Sequence, residues 1–438
     1  MLDIAFVREN PQVVKDAVTH KNLSVDVDRL LSLDGSRLSM LQEIQDLRQK
    51  RNEFADKMKQ VATLSNEEKQ ETISAGKALK EELTAVEAKF KVLDEEFMSL
   101  MLALPSVPSE DTPVGATEDE NVVVRTWGEK PQFDFEPKEH WELGEALDLI
   151  DTKTAAEISG SRFAYLKGEL ALMQFGLVQM VMLTLANQEK LRGIIETFEL
   201  EGVSDKPFTP IVPPVMMRPE VMDRMARLHP MDDRYQTTID GLMMVGSAEH
   251  TLGPLYMDTT LDEQELPIRY IGYSTAFRRE AGTYGKDMKG ILRLHQFDKL
   301  EMESFSSPEQ GSKEQELFVA IQEYLMQELE LPYQVVHKCT ADMGTPDVRA
   351  FDIEAWLPGQ NKYRETHTSD WMGDYQSRRL ETKVKREDGS KDYAHMNDAT
   401  AFAIGRTLIA IMENYQTADG KIQVPTKLQA YVGKEIIG

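Results

Sequence analysis

The chain has 438 residues, 41% of them hydrophobic and 29% charged, which is too long for one ordinary domain and suits a large globular body with an accessory element. A formal net charge of −25 argues against a protein that coats nucleic acid non-specifically and makes any contact with a polyanion a local matter. Mean hydropathy is −0.43 and Cys339 is the single cysteine, so neither a membrane-embedded nor a disulfide-built chain is expected. A lone thiol fits a reducing cytoplasm, offers no zinc site of the usual kind and reads as a small buried residue.

The N-terminal stretch MLDIAFVRENP brings charges at Asp3, Arg8 and Glu9 before any apolar run, unlike a secretory signal. Short helices are expected over the first thirty-odd residues, with Pro11 at an early turn. A long helical pattern follows, in which Leu41, Ile44, Leu47, Phe54, Met58 and Val61 recur at spacings of three and four. It breaks at Ser65, whose spacing to Glu68 is that of a capping box. Leu79, Leu83, Val86, Phe90, Leu93, Phe97 and Leu100 then form an unbroken heptad seam, so residues 37–103 are expected as an antiparallel coiled-coil hairpin. This stretch carries eleven Lys or Arg against thirteen Asp or Glu, so it is nearly balanced while the rest of the chain is acidic.

Residues 104–126 are rich in Pro, Ser and acids and read as a linker between an N-terminal helical domain, 1–103, and a body spanning 127–438. The apolar window 170–186 is interrupted by Gln174 and Gln179 and is expected as a buried helix, not a membrane span. Strands are expected at 209–212, 268–273, 299–305 and 351–356. They do not alternate regularly with crossover helices, which predicts an α+β fold built on an antiparallel sheet flanked by helices. Neither a P-loop nor a GxGxxG fingerprint is present, so any ATP is held by another route.

The most informative stretch is 273–303, YSTAFRREAGTYGKDMKGILRLHQFDKLEME. Arg278, Arg279 and Glu280 stand at the end of an expected strand, and Gly282, Gly285 and Gly290 permit a loop. Arg293 then opens a second strand through Phe297 to Glu301. Guanidinium forks suit phosphates and carboxylates, an aromatic can stack on a base, and carboxylates accept from amino or hydroxyl groups. On spacing alone, a solvated charged hairpin accounts for the same pattern.

This stretch resembles motif 2 of the class II aminoacyl-tRNA synthetases in its seryl version, FRxEAG, a glycine-bearing loop, then RxHQFxKxE. Residues 208–216, FTPIVPPVM, resemble motif 1, and 403–416, AIGRTLIAIMENYQ, resemble motif 3. YRETHT, CTADMG and the ending VPTKLQAYVGKEII are also similar to the bacterial-type seryl-tRNA synthetases. The resemblance implies activation of L-serine by ATP and transfer to the terminal ribose of serine tRNA. It implies that Arg278 bridges the serine carboxylate and the α-phosphate, that Arg293 contacts phosphates and that Arg406 clamps the outer phosphate. Glu280 would accept from the adenine amino group and Phe297 would pack on the adenine ring. Glu301 would accept the serine hydroxyl, and Thr400 would offer its own. Glu365 and Thr368 match the family's metal site, with Mg²⁺ the expected ion and zinc not expected, while neighbouring His367 is expected as a structural residue.

The family's Thr-x-Glu appears here as Ser247-Ala248-Glu249, which keeps the hydroxyl, and its usual Asn appears as Asp398, which either favours the substrate ammonium or shifts specificity. Motif 1 implies a homodimer. The helical arm implies a grip on the long variable arm of serine tRNA, through a set comprising Arg48, Lys50, Arg51, Lys57, Lys59, Lys77, Lys80, Lys89 and Lys91. No membrane or DNA partner is expected. Two alternatives differ in kind: a ligase for a carrier protein or another small amino acid, of which the carrier-charging kind lacks such an arm, and a catalytically silent tRNA-binding paralogue, which should have lost the arginines or the metal glutamate.

Overall fold

The structure, a computed structural model, describes residues 1–58, 65–281, 287 and 289–438, without the side chains of Lys57, Met58 and Asn66. Lys59, Val61, Gly282 and Gly285, singled out above, therefore lie outside the described residues. The chain forms two compact units, Met1–Pro105 and Ser106–Gly438.

In the first unit, helices α1 (Ile4–Glu9) and α2 (Pro11–His20) precede two long ones, α3 (Val27–Met58) and α4 (Asn66–Ala103). Asp3 caps α1 by accepting from the Ala5 amide, and Pro11 starts α2 at a position where its missing N–H costs nothing. Val7, Val14, Val18, Leu30 and Leu33 close a small core with Phe97 and Met101. Farther along the pair, Ile44 and Leu47 bury against Leu83 and Val86, two rows of the seam expected from the heptads. Arg37 pairs with Asp94 at 2.8 Å and Arg48 with Glu87 at 2.8 Å, fixing the antiparallel register from outside the seam. The capping box forms in both directions between Ser65 and Glu68 and starts α4, whose 38 residues span about 57 Å.

The second unit is built on one eight-stranded sheet. In chain order its strands are β1 (Val122–Trp127), β2 (Thr209–Ile211), β3 (Ile268–Phe277), β4 (Gln296–Ser306), β5 (Tyr333–His337), β6 (Arg349–Leu357), β7 (Lys362–Gly373) and β8 (His395–Ala403). The spatial order is β1-β5-β6-β7-β8-β4-β3-β2. Every pairing is antiparallel except β2 with β3, so the expected antiparallel sheet carries one parallel pair at its edge. The long excursion between those two strands lets the chain return in the same direction, which a short turn forbids.

The segment expected as a linker, 104–126, is largely part of this body. The Ser106 amide donates to Thr345 O at 2.9 Å, Ser109 to Val348 O at 2.8 Å, and residues from Val122 onward add the edge strand β1 to β5. Its Pro- and Ser-rich composition hid this because the bonding partners lie more than two hundred residues away.

Helices α5 (Gly168–Leu185), α6 (Gly311–Glu328) and α7 (Ile404–Asn414) cover one face of the sheet, where Leu170, Leu177, Phe318, Leu325 and Leu408 bury with Ile271, Leu300, Met302, Ile353 and Ala399. The two-residue period of a strand sends the alternate side chains Lys299, Glu301 and Glu303 to the other face. Helix α5 is not wholly buried, contrary to expectation: Leu172, Phe175 and Leu183 are 49%, 60% and 54% exposed. The sheet lies on one side of it, and these apolar side chains stand on its outer face.

Candidate active site

The β3–β4 hairpin supplies the first group of side chains. Its register pairs Ala276 with Phe297 and Gly272 with Glu301, so Phe297, Lys299 and Glu301 follow one another along the face opposite α5, α6 and α7. Arg278, just past the end of β3, has its amide on His295 O at 3.0 Å and its Nε on Gly246 O at 3.1 Å, and its guanidinium lies 5.4 Å from the centre of the Phe297 ring. Arg293 reaches Glu280 at 2.5 Å and lies 3.7 Å from Asp287.

Two bulges supply the rest. The β6–β7 register slips between the pairs Ile353–His367 and Glu354–Glu365, which brings Glu365 to the face that Thr368 and Asp370 already occupy. The β8–β4 register slips beyond the Thr400–Glu301 pair. Gln322 of α6 reaches between these strands and donates to both Thr368 O (2.7 Å) and Thr400 O (2.8 Å), so a buried helix side chain braces both bulged strands. From α7, Arg406 donates through Nη1 to the carboxylate of Glu365 at 2.8 Å and to its carbonyl at 2.9 Å.

These elements enclose a cleft of about 200 Å³ lined by Glu249, Arg278, Glu280, Arg293, Phe297, Glu301, Glu365, Thr368, Asp398, Thr400 and Arg406, all singled out in the sequence. Ser247 stands one layer behind. It is fully buried, donates to Glu301 Oε2 at 2.8 Å and accepts from Lys299 Nζ at 3.1 Å, while Lys299 also pairs with Glu301 at 2.5 Å. Asp398 meets Arg227, Nη2 to Oδ2 at 2.8 Å. His367 lies on the opposite face with Thr366 Oγ1 at 2.8 Å from its Nδ1, and Cys339 is buried near Thr117 O. Within the first unit, Arg48, Lys50, Arg51, Lys77, Lys80, Lys89 and Lys91 are all exposed.

Electrostatics follow from crowding carboxylates in a buried place. Burial pushes Glu301 up, to about 7, with Glu249 and Asp398 adding to the shift and Lys299 opposing it. Burial likewise raises Asp398 to about 6 against the pull of Arg227. Glu365, whose side chain is more exposed, shifts the other way, drawn below the usual carboxylate range by the positive charges of Arg406, Lys338 and Arg278. Among the described residues no three His, Cys, Asp or Glu side chains are grouped to hold a metal ion.

Sequence reasoning missed Lys299, Asp370 and Arg227, which also line the cleft. Lys299 was within reach, since it shares a two-residue period with Phe297 and Glu301. Arg227 carries no local sign of its role, lying twenty residues before Ser247 and outside every motif.

Comparison with known proteins agrees with this geometry. Residues 1–108 match the family model described as the seryl-tRNA synthetase N-terminal domain, and residues 235–415 match the class II tRNA synthetase core domain (G, H, P, S and T). Serine–tRNA ligase of Petrotoga mobilis is 38% identical over 441 residues, covering 100% of both chains, and that of Thermodesulfovibrio yellowstonii is 36% identical with the same coverage. Among solved structures, seryl-tRNA synthetase from Pyrococcus horikoshii complexed with ATP superposes with a TM-score of 0.86 at 33% identity, covering 100% of this chain and 99% of the other. The cytoplasmic serine–tRNA ligase from Naegleria fowleri in complex with AMP gives 0.82 at 28%, covering 100% and 98%. With full-length relatives of one kind and both matching domains, the chain belongs to the seryl-tRNA synthetase family.

Proposed function

We propose that the cleft of the second unit performs both steps of serine charging and that the helical arm of the first unit holds the tRNA. The observation that carries this reading is the convergence of Arg278, Glu301, Glu365 and Arg406 on one cleft, from four separate strands and helices. A carboxylate oxygen of serine attacks the α-phosphorus of ATP in line, and the bond to the β-phosphate oxygen breaks to release pyrophosphate. Arg278 bridges the two reactants, Arg293 contacts the phosphates and Arg406 neutralises the outer phosphate. Adenine packs on Phe297 and donates from its amino group to Glu280. Positioning and fixed positive charge supply the rate, because neither reactant needs a protein base. In the second step the terminal ribose hydroxyl of the tRNA attacks the seryl carbonyl, and AMP leaves.

Serine selection follows from burial. Glu301 and Glu249 accept from the substrate hydroxyl and ammonium, Thr400 adds its own hydroxyl, and Ser247 steadies Glu301 from behind. An alanine in the same place leaves Glu301 unanswered, and a threonine methyl meets a filled wall. The oxygen donors of Glu365 and Thr368 fit a hard cation such as Mg²⁺, which needs only one or two protein ligands beside phosphate oxygens and, when bound, draws charge from those phosphates.

A homodimer explains two apolar surfaces of the second unit. Leu172, Phe175 and Leu183 of α5, and Val212 at the end of β2, are exposed, Val212 to 75%. The nearly balanced charge of the arm, on an otherwise acidic chain, makes it the least repulsive place for a polyanion. Exposed Lys50, Arg51, Lys80 and Lys89 act as part of the set that contacts phosphates. The cytoplasm is the proposed site of action. The test is charging of a serine tRNA transcript with labelled serine in the presence of ATP and Mg²⁺. Serine esterified to the transcript is expected with the unaltered chain and not with Arg278→Ala; no esterified serine from folded, unaltered protein would overturn the reading.

A further inference from the structure

We propose that Arg227 is a positioning residue of the amino-acid pocket: by pairing with Asp398 it sets the charge and stance of the carboxylates that receive the substrate ammonium, and so determines how tightly serine is held. The inference rests on the serine reading of the cleft given above.

Arg227 is rooted on both sides. It follows the short helix Pro219–Arg224 through a turn in which Ala226 takes φ +57°, its amide donates to Met222 O at 3.1 Å, and its carbonyl accepts from Arg234 Nε at 3.0 Å. From this fixed base the side chain crosses to β8, passes Met372 at 3.9 Å and donates to Asp398 at 2.8 Å. A planar guanidinium fixes the orientation of its acceptor as well as its charge.

Asp398 needs such a partner. The strand register sets it opposite Asp370 on β7 and opposite Glu303 on β4, so three acidic side chains, Asp398 and Glu303 buried and Asp370 half-buried, stand in a row across adjacent strands. Like charges directly opposite one another in a sheet repel. Lys299, the nearby cation of β4, is already engaged by Glu301 and Ser247. Arg227 is therefore the cation that answers Asp398 directly, and the charges of Glu249, Asp347 and Asp370 act on it as well.

Each half of the pair is harmful without the other. Without Arg227, Asp398 takes up a proton or turns toward its neighbours, and the pocket loses a fixed acceptor. Without the Asp398 charge, Arg227 presents an unpaired cation to a pocket that must receive an ammonium group. Removing both charges together restores balance.

The experiment compares Arg227→Gln, Asp398→Asn and the double variant as full-length proteins in serine-dependent pyrophosphate exchange. Each single change should raise the serine KM at least tenfold while the ATP KM moves less than twofold, and the double variant should raise it by clearly less than the product of the two single effects. Should Arg227→Gln fold poorly, Arg227→Lys, which keeps the charge without the planar fork, should raise the serine KM by a smaller factor. A serine KM within twofold of normal in either Arg227 variant, effects that multiply in the double variant, or equal losses in serine and ATP KM would overturn the proposal. Absence of serine-dependent exchange from the unaltered chain would overturn the serine reading itself, a different result from normal exchange with uncoupled variants.

Discussion

Replacing Ser247 by Ala removes a hydroxyl that is fully buried and makes two contacts, donating to Glu301 at 2.8 Å and accepting from Lys299 at 3.1 Å. The backbone is undisturbed, and the lost volume is that of one oxygen. What changes is the carboxylate that accepts the substrate hydroxyl, because Glu301 keeps Lys299 but loses a donor. A hydrogen bond to a charged group contributes about 1.5–3 kcal/mol, and at about 1.4 kcal/mol per factor of ten its loss weakens serine binding by at most roughly 10- to 150-fold, since the bond is already made before serine binds. With one donor fewer the carboxylate also becomes harder to ionise, so the penalty should be larger at pH 6.5 than at pH 8. Serine-dependent pyrophosphate exchange at several serine concentrations separates KM from kcat, and thermal unfolding reports whether the fold survives. A serine KM within threefold of the unaltered chain, at both pH values, would show that Ser247 does not steady Glu301.

Other consequences can be checked in parallel. Because Glu301 and Asp398 are raised to about 7 and about 6, both take up protons as pH falls. Binding an ammonium favours their ionised forms, so the serine KM should climb between pH 7.5 and 5.5 while the ATP KM changes less; a flat serine profile would contradict the shifts. Gly290 takes φ +70°, and a Cβ there would meet His140 Nε2 at 2.0 Å, where His140 is held by Glu413 and accepts from the Ile291 amide. Gly290→Ala should therefore cost about 1–3 kcal/mol in urea unfolding and raise the ATP KM, and unchanged unfolding would refute the close packing. Removing residues 44–90 and joining the stumps by a short turn keeps the small core of Val7, Leu30, Phe97 and Met101. That variant should retain pyrophosphate exchange and lose charging of serine tRNA by at least a hundredfold; retained charging would show that the arm does not hold the tRNA.

Much of this was legible in the sequence where the physics is local. The steps of three and four through Leu83, Val86 and Phe97 state which face of α4 is buried, and Ser65 with Glu68 states where the helix begins. Alternation along Lys299, Leu300, Glu301 and Met302 separates core from cleft within one strand. Long-range facts were not legible. Residues 104–126 look like a linker until their amides find Thr345, Val348 and β5. Hydropathy cannot separate the packed face of α5 from the exposed one, since both are apolar, and the slips that bring Glu365 into the cleft exist only in the pairing of two strands. Arg227 shows the same limit, because a side chain on an irregular turn acquires its role from where that turn is folded.

The central claim is that this cleft activates serine. Its most direct test is amino-acid-dependent exchange of labelled pyrophosphate into ATP, without tRNA and with Mg²⁺ present, across all twenty amino acids. Exchange with serine alone is predicted. Exchange with another amino acid in place of serine would keep the fold and chemistry but contradict the substrate, and no exchange from folded protein would contradict catalysis itself.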